Sequence, residues 1–459
     1  MSTPNPLRPK SYRLLKSICW IVIRVFMRRA DGTGLAKITE GEPTIIAANH
    51  TNGLGDVVLL VYKLPGLPRF LAAASLWKIP PARFLFWLAN VVPIYRQRDG
   101  DDTAANSSAF SACNDALAEG AHLMIFPEGE VHKEPSLLPL KTGAARIGLG
   151  AADAGTRGIR IVPVGLVYDD KGRFRSQSAL HVGQPIPMDD WVEQYRADER
   201  DAVRAVTALL TDRLREVTLN HASWNEAMVI DRAAAITILG DREPEPREPV
   251  FAERSALHRA LSSAIESSGG ESGDAFSRLA DAVERHRRDL ALLGVDDPRA
   301  VPSLHPGRIR WRITRLAVGS IVLLPFAAVG MVLNGPIVPP ARVIRRFVKH
   351  PAWKATAMGL TGLVFLPVLW GTETTVAYRR LGGKAALAVA AAGPIGGIAW
   401  IAWRTRWLRW RRTVASLEWL RRPDAALEAA RASRRAVLDE VAALVGEPTM
   451  AVARSHSTV

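Results

Sequence analysis

His50 stands at the end of the apolar run Pro43–Asn49, and Asp56 follows it across Thr51-Asn-Gly-Leu-Gly55. Further along, Ile125-Phe-Pro-Glu-Gly129 ends a second apolar run on a carboxylate held in a Pro/Gly turn. A neutral imidazole can take a proton from an alcohol near pH 7 when an acceptor holds its other ring nitrogen. Asp56 is the nearest acceptor in sequence, and the glycines at 53 and 55 allow the chain to fold it back. A carboxylate so placed fixes the tautomer and stabilises the imidazolium that forms. No serine is required when the substrate hydroxyl is itself the nucleophile. The chemistry these residues fit is acyl transfer onto a hydroxyl, in which positioned proton transfer contributes roughly 100- to 10,000-fold in rate. Taken without the rest of the chain, His50 and Asp56 read equally well as a strand cap and a helix start.

Positioning such residues needs strands that end at the reacting centre. Thr44 to Ala48 reads as a short buried strand, and Val91-Val-Pro-Ile-Tyr-Arg96, Met124-Ile-Phe and Ile159-Arg-Ile-Val-Pro-Val164 repeat the pattern. Phe70 to Ala74 and Leu180 to Val182 are further strand candidates. Helical patterns lie between them at 57–62, 81–89, 108–118, 141–154 and 190–217. This alternation predicts an α/β domain with a mostly buried sheet flanked by helices.

Four blocks in this order resemble the glycerolipid acyltransferase family, the glycerol-3-phosphate and lysophosphatidate acyltransferases. Asn49-His50 to Asp56 matches the first family motif, Ile94-Tyr95-Arg96 the second, Phe126-Pro-Glu-Gly129 the third and Val162-Pro-Val164 the fourth. The resemblance covers roughly residues 30 to 235. Two departures stand out. Five residues separate His50 from Asp56 where most of the family has four, a spacing shared with the branch that includes the fungal glycerol-3-phosphate/dihydroxyacetone-phosphate acyltransferases. Glu130-Val131-His132 also stands where many relatives carry Thr/Ser-Arg.

The resemblance implies that His50 is the general base and Asp56 its orienter, and that Arg96 and the Glu128-Gly129 turn bind the polar end of the acceptor. Lys141 has a rationale of its own, since a cation beside a helix N-terminus makes a phosphate site. Surface charges with solvated heads are the alternative for Arg96 and Lys141, and His132 reads as a loop residue rather than a second base. The expected reaction uses an acyl-CoA or acyl-acyl carrier protein as co-substrate, with no cofactor, metal or acyl-enzyme. The expected acceptor is glycerol-3-phosphate or dihydroxyacetone phosphate. A 1-acylglycerol-3-phosphate or another lipid hydroxyl is the alternative, and an inactive membrane-anchored lipid- or acyl-carrier-binding module is the alternative of another class.

The formal net charge of +15 does not belong to the catalytic blocks. Residues 1–30 hold seven Lys or Arg and no acid, and residues 306–412 hold seventeen with Glu373 as the one acid. The rest of the chain is net acidic. Cations concentrated around apolar runs fit membrane flanks and anionic lipids, not a polynucleotide groove, which needs basic residues interleaved with aromatics on a folded domain. Two cysteines, Cys19 and Cys113, make neither a spaced metal motif nor a disulfide framework.

Residues 1–30 are expected to form a basic interfacial membrane helix, with a core-packing helix as the alternative. The N-terminal stretch does not read as a cleavable signal, because Arg24 interrupts it and no small-residue cleavage site follows. After the acyltransferase domain at 31–235, residues 236–305 read as a breaker-rich linker at 243–249 and a small helical module. Within 306–412, three uncharged stretches at 316–341, 355–372 and 385–403 are each about long enough for a bilayer core. Pro325, Gly335, Pro336, Pro339 and Pro340 in the first favour a re-entrant segment, which leaves two spans. Trp403, Trp407 and Trp410 among five arginines read as an interfacial belt. Cation-rich loops then place both termini and the catalytic domain in the cytosol of a multi-pass inner-membrane protein. Residues 413–459 are expected to be a cytosolic helix and a disordered tail.

Overall fold

A computed structural model describes residues 9–66, 68–78, 91–94, 106–169, 171, 176–239, 251–292, 306–348, 351–415 and 424–446. The chain divides into two compact units at Trp224/Asn225.

The N-terminal unit is built on an eight-stranded sheet: β1 (Met27–Thr33), β2 (Thr44–Ala48), β3 (Pro68–Ala73), β4 (Val92–Ile94), β5 (His122–Ile125), β6 (Arg160–Tyr168), β7 (Ser176–Val182) and β8 (Ile186–Pro187). Their order is β1-β7-β6-β2-β5-β3-β4, with β8 paired to β6. β2 lies between β5 and β6 and runs parallel to both, with Ala47 opposite Ile125 and Pro163, and Ala48 opposite Val164. All five β2 residues are buried. The strand's period of two sends alternate side chains to opposite faces. Ile45 and Ala47 join a core with Leu117, Leu123, Leu149 and Leu210, while Ile46 and Ala48 join another with Leu59, Leu60, Met124 and Val162.

Helices cover both faces, as a largely parallel sheet requires. α1 (Pro9–Phe26) and α2 (Leu54–Lys63) pack on one side; α3 (Asn106–Ala118), α4 (Gly143–Asp153) and α6 (Glu199–Val217) line the other, with α5 (Val192–Ala197) before α6. The single helical pattern expected over 190–217 is therefore interrupted. Asp198 breaks it with an extended backbone and caps α6 by accepting from the Asp201 N–H at 3.0 Å.

The N-terminal segment differs from its sequence reading at its end. Helix α1 stops at Phe26, and Met27–Thr33 forms a parallel edge strand on β7. Cys19 and Ile23 of α1 are buried in the core shared with α2, whereas Leu14, Trp20 and Ile21 are exposed. One face packs into the domain and the other presents large apolar groups, with the Arg24 guanidinium over the Trp20 ring. The pattern expected at 81–89 lies outside the described residues.

The C-terminal unit is helical. α7 (Trp224–Leu239), α8 (Phe251–Ser267) and α9 (Asp274–Leu292) share one apolar core through Ile230, Leu257, Leu261 and Leu279. The late helix α14 (Asp424–Val445) closes that core with Val437 and Val441, so the segment read as a separate terminal helix belongs to the module begun near 225. The linker at 243–249 lies outside the described residues.

Between them come α10 (Pro306–Asn334), α11 (Val338–Phe347), α12 (Pro351–Leu381) and α13 (Gly383–Ala415). α10 continues through Pro325 and gives way to a 3-10 turn only at Gly335–Ile337, so the break falls late in the 316–341 stretch. Ile313–Ile344 and Gly383–Arg411 are long and apolar enough to cross a membrane. Ile321, Val332 and Leu387 are exposed on them. Helices α10 and α13 meet backbone to backbone: a Cβ added at Gly330 would lie 1.8 Å from the Gly396 carbonyl oxygen. Asn334 ties three helices together. Its amide donates to the Gly330 and Gly393 carbonyls at 2.9 and 3.0 Å, and its oxygen accepts from Trp370 Nε1 at 3.0 Å. Small residues at the crossing and a bridging polar side chain are the devices that hold helices together in lipid. Trp403, Trp407 and Trp410 stack in sequence, with centroids 5.8 and 4.9 Å apart. Two such helices and this belt suggest membrane association.

Candidate active site

Because β2 and β5 run parallel in register, their C-terminal ends leave the same edge of the sheet, the place where open α/β sheets put ligand sites. The first delivers Asn49 and His50; the second delivers Phe126 to Gly129. The exit from β2 is pinned to the neighbouring strand. Asn49 donates its amide to the Leu166 carbonyl at 3.1 Å and accepts the Leu166 N–H at 2.7 Å.

The turn after His50 then reverses. Gly53 precedes α2 with φ 57°, a conformation that suits glycine, and α2 brings Asp56 back in its first turn. The extra residue between His50 and Asp56 is absorbed here, and the two side chains meet. His50 Nδ1–H donates to Asp56 Oδ2 at 2.9 Å. The same oxygen accepts the backbone N–H groups of Thr51 and Asn52 at 3.0 and 2.8 Å. Asp56 Oδ1 accepts the Tyr168 hydroxyl at 2.6 Å. Asp56 is fully buried, and four donors compensate the cost of burying its charge. The His50 side chain keeps about 17% of its surface, so the ring is held on one side and reachable from the other. Phe126 stacks on it with centroids 3.9 Å apart and planes 14° from parallel.

Glu128 is 2% exposed and both of its oxygens are engaged. Oε1 accepts the His50 backbone N–H at 2.7 Å, and Oε2 accepts the Leu138 N–H at 2.9 Å. The carboxylate thus ties the His50 loop to the chain leading into α4. This differs from the reading of Glu128 as a ligand for the acceptor, because its oxygens hold main chain. His132 is a buried loop residue: its Nε2 lies 2.5 Å from Glu128 Oε2, and its backbone N–H donates to the His50 carbonyl at 3.3 Å. Gly129 has φ 77° and faces the stem of Lys141. The Lys141 N–H donates to the Pro127 carbonyl at 2.7 Å, and its exposed side chain stands just before the N-cap Thr142 of α4. Arg96 lies outside the described residues. Among the described residues, no group of three or more His, Cys, Asp or Glu is arranged to hold a metal ion.

Two residues of this edge were not singled out from the sequence. Strand β6 runs four residues past Val164, the partner of Ala48, and this overhang carries Tyr168 to Asp56. Burial and the neighbouring Asp56 push the Tyr168 phenol well above its ordinary range, so it is a hydroxyl donor at any working pH. Lys171 follows in the turn beyond β6. Burial lowers its ammonium from the ordinary lysine value, while Asp56 and Glu128 act in the opposite direction. Counting the fourth apolar run to its end at Tyr168, instead of stopping at the Val-Pro-Val motif, is the signal that would have reached them.

Residues 29–167 match the family model described as Acyltransferase. The chain is 34% identical over 182 residues to glycerol-3-phosphate O-acyltransferase 2 of Saccharomyces cerevisiae, covering 37% of this chain and 24% of that protein. It is 28% identical over 166 residues to human 1-acyl-sn-glycerol-3-phosphate acyltransferase alpha, covering 35% of this chain and 55% of that one. The matched stretch therefore spans less than two thirds of either relative. Among solved structures, the 1-acyl-sn-glycerophosphate (LPA) acyltransferase of Thermotoga maritima is similar at 19% identity and a TM-score of 0.33, over 46% of this chain and 80% of that one. The N-terminal unit of this chain thus carries an Acyltransferase-family domain, distantly similar to glycerol-3-phosphate and 1-acylglycerol-3-phosphate acyltransferases.

Proposed function

We propose that this chain is a membrane-bound O-acyltransferase that moves a fatty acyl group from an acyl thioester to the hydroxyl of glycerol-3-phosphate, or of dihydroxyacetone phosphate, in phospholipid synthesis. The observation that carries the proposal is the 2.9 Å contact between His50 Nδ1 and a fully buried Asp56 at the strand-end edge, with the ring still reachable. Asp56 holds the proton on Nδ1, which leaves Nε2 as the base. The acceptor hydroxyl gives its proton to Nε2 while its oxygen attacks the thioester carbonyl. Collapse of the tetrahedral adduct breaks the carbon–sulfur bond, and the thiolate recovers that proton from Nε2. The products are an ester and a free thiol, with no acyl-enzyme.

The roles divide accordingly. His50 is the general base and Asp56 its orienter, while Phe126 fixes the plane of the ring. Glu128 keeps the base loop in place through main-chain bonds. Lys141, ahead of a helix N-terminus, offers a site for a phosphate. The choice of glycerol-3-phosphate as acceptor is supported by the similarity to the yeast enzyme and by the shared His-to-Asp spacing. The similarity to the human enzyme favours 1-acylglycerol-3-phosphate as the second reading. The apolar helices of the C-terminal unit and its Trp/Arg belt support a multi-pass inner-membrane protein with a cytosolic catalytic domain. Membranes carrying the protein are to be given a labelled acyl thioester and a panel of acceptors. The reading expects ester formation on glycerol-3-phosphate and a loss of roughly 100- to 10,000-fold in His50→Ala. No turnover on any acceptor would leave a lipid- or carrier-binding module instead.

A further inference from the structure

A buried phenol stands behind the carboxylate that orients His50. Tyr168 donates to Asp56 Oδ1 at 2.6 Å, on the opposite oxygen from His50. Asn52 donates its backbone N–H to the other oxygen, Oδ2, which also accepts from His50. Asn52 and Tyr168 therefore each donate to the carboxylate that orients the imidazole, one to each oxygen. The place of the phenol is built into the fold twice over. Asn49 clamps the end of β2 to Leu166, two residues before Tyr168, and β6 is long enough to overhang the site.

We infer that Tyr168 is a positioning residue which, by sharing the charge of Asp56, sets the pH at which His50 becomes a competent base. The inference rests on the reading of His50 as the base of an acyl transfer. A carboxylate that accepts a hydrogen bond from a phenol keeps less charge for its other partner. With the phenol present, the pull of Asp56 on the imidazole proton is moderated and the ring stays neutral to a lower pH. Without it, the charge of Asp56 concentrates on His50 and the imidazolium is favoured. The ring then has to be deprotonated at higher pH before it can accept a proton from the acceptor. The raised ionisation range of Tyr168 keeps it a donor throughout. The other charged or titratable groups near this cluster are Glu128, which holds the His50 backbone, His132 against Glu128, and Lys171, on which the charges of Asp56 and Glu128 both act. None of them is altered by a change confined to the Tyr168 hydroxyl.

The test uses the full chain in membranes, an acyl-CoA and glycerol-3-phosphate, and reads kcat/KM against pH for the wild type, His50→Ala and Tyr168→Phe. A further sample carries 3-fluorotyrosine at position 168, which keeps the shape of the side chain but donates more strongly. The expected result is an acid limb moved to higher pH by about half a unit or more in Tyr168→Phe. The fluorinated side chain moves it to lower pH. Opposite shifts from two substitutions of near-identical shape are not what a merely structural residue produces. The fluorinated protein also decides the matter if Tyr168→Phe fails to fold. An inactive His50→Ala alongside an unmoved acid limb in the altered Tyr168 proteins overturns this inference alone. An active His50→Ala overturns the assignment of the base, and the role of Tyr168 with it.

Discussion

The two units solve the burial of polar groups in opposite ways. In the N-terminal unit, buried carboxylates gather main-chain donors: Asp56 accepts four hydrogen bonds and Glu128 bridges two loops. In the membrane-type helices of the C-terminal unit an amide, that of Asn334, bridges the helices, and close approach comes from glycine against glycine. The first arrangement fixes the orientation of side chains to within a hydrogen bond, as catalysis requires. The second fixes distances between helices and leaves their outer faces apolar. Precision at a reacting centre and cohesion in an apolar surrounding need different residue chemistry, and this chain keeps them in separate units.

That contrast can be broken by substitution. The largest stability effect is expected from Glu128→Ala, which leaves the N–H groups of His50 and Leu138 without their acceptor. Each such buried donor costs about 1–3 kcal/mol, so chemical denaturation of the N-terminal unit should show a loss of about 2–6 kcal/mol, together with lost activity. Wild-type stability in that variant would mean the carboxylate is not an anchor. Gly330→Leu comes next. It forces a side chain into the Gly396 backbone and is expected to cost about 1–3 kcal/mol or more, read as earlier loss of helix packing on detergent titration. The acid limb of the pH–rate profile should stay where it is. A moved limb would show that the separation of duties between the units is not real. The smallest effect is expected from Asp198→Ala, which removes the cap of α6 and should lower stability by about 1 kcal/mol without changing turnover.

The sequence made the site legible wherever an apolar run ended on a polar residue. Thr44 to His50 and Met124 to Gly129 are such runs, and parallel pairing brings their ends together. Tyr168 escaped because its role depends on how far β6 overhangs β2, a matter of register that no single segment reveals. Glu128 was visible as a carboxylate on a turn, but its partners are backbone groups, and backbone groups leave no trace in residue type. The end of α1 was misplaced for a similar reason. Met27–Thr33 carries three charged residues and no apolar run, and only its pairing with β7 makes it a strand. The last helix, α14, carries an amphipathic pattern that says it packs on something, while the partners Leu257 and Leu279 lie far away in the chain. Length and apolarity, by contrast, are properties of one segment, and Ile313–Ile344 and Gly383–Arg411 are each long and apolar enough to cross a membrane, the first being the stretch that read as re-entrant from its prolines and glycines.

The account stands on one pairing, and Asp56→Asn tests it most directly. The amide has nearly the same shape, so the protein should keep its stability, yet it no longer supplies the negative charge that holds the Nδ1 proton and steadies the imidazolium. Acyl transfer to glycerol-3-phosphate is expected to fall by about 10,000-fold at unchanged fold, the loss typical of a mis-set catalytic histidine. Turnover equal to that of the wild type in a folded Asp56→Asn protein would contradict the assignment of His50 and Asp56 as base and orienter.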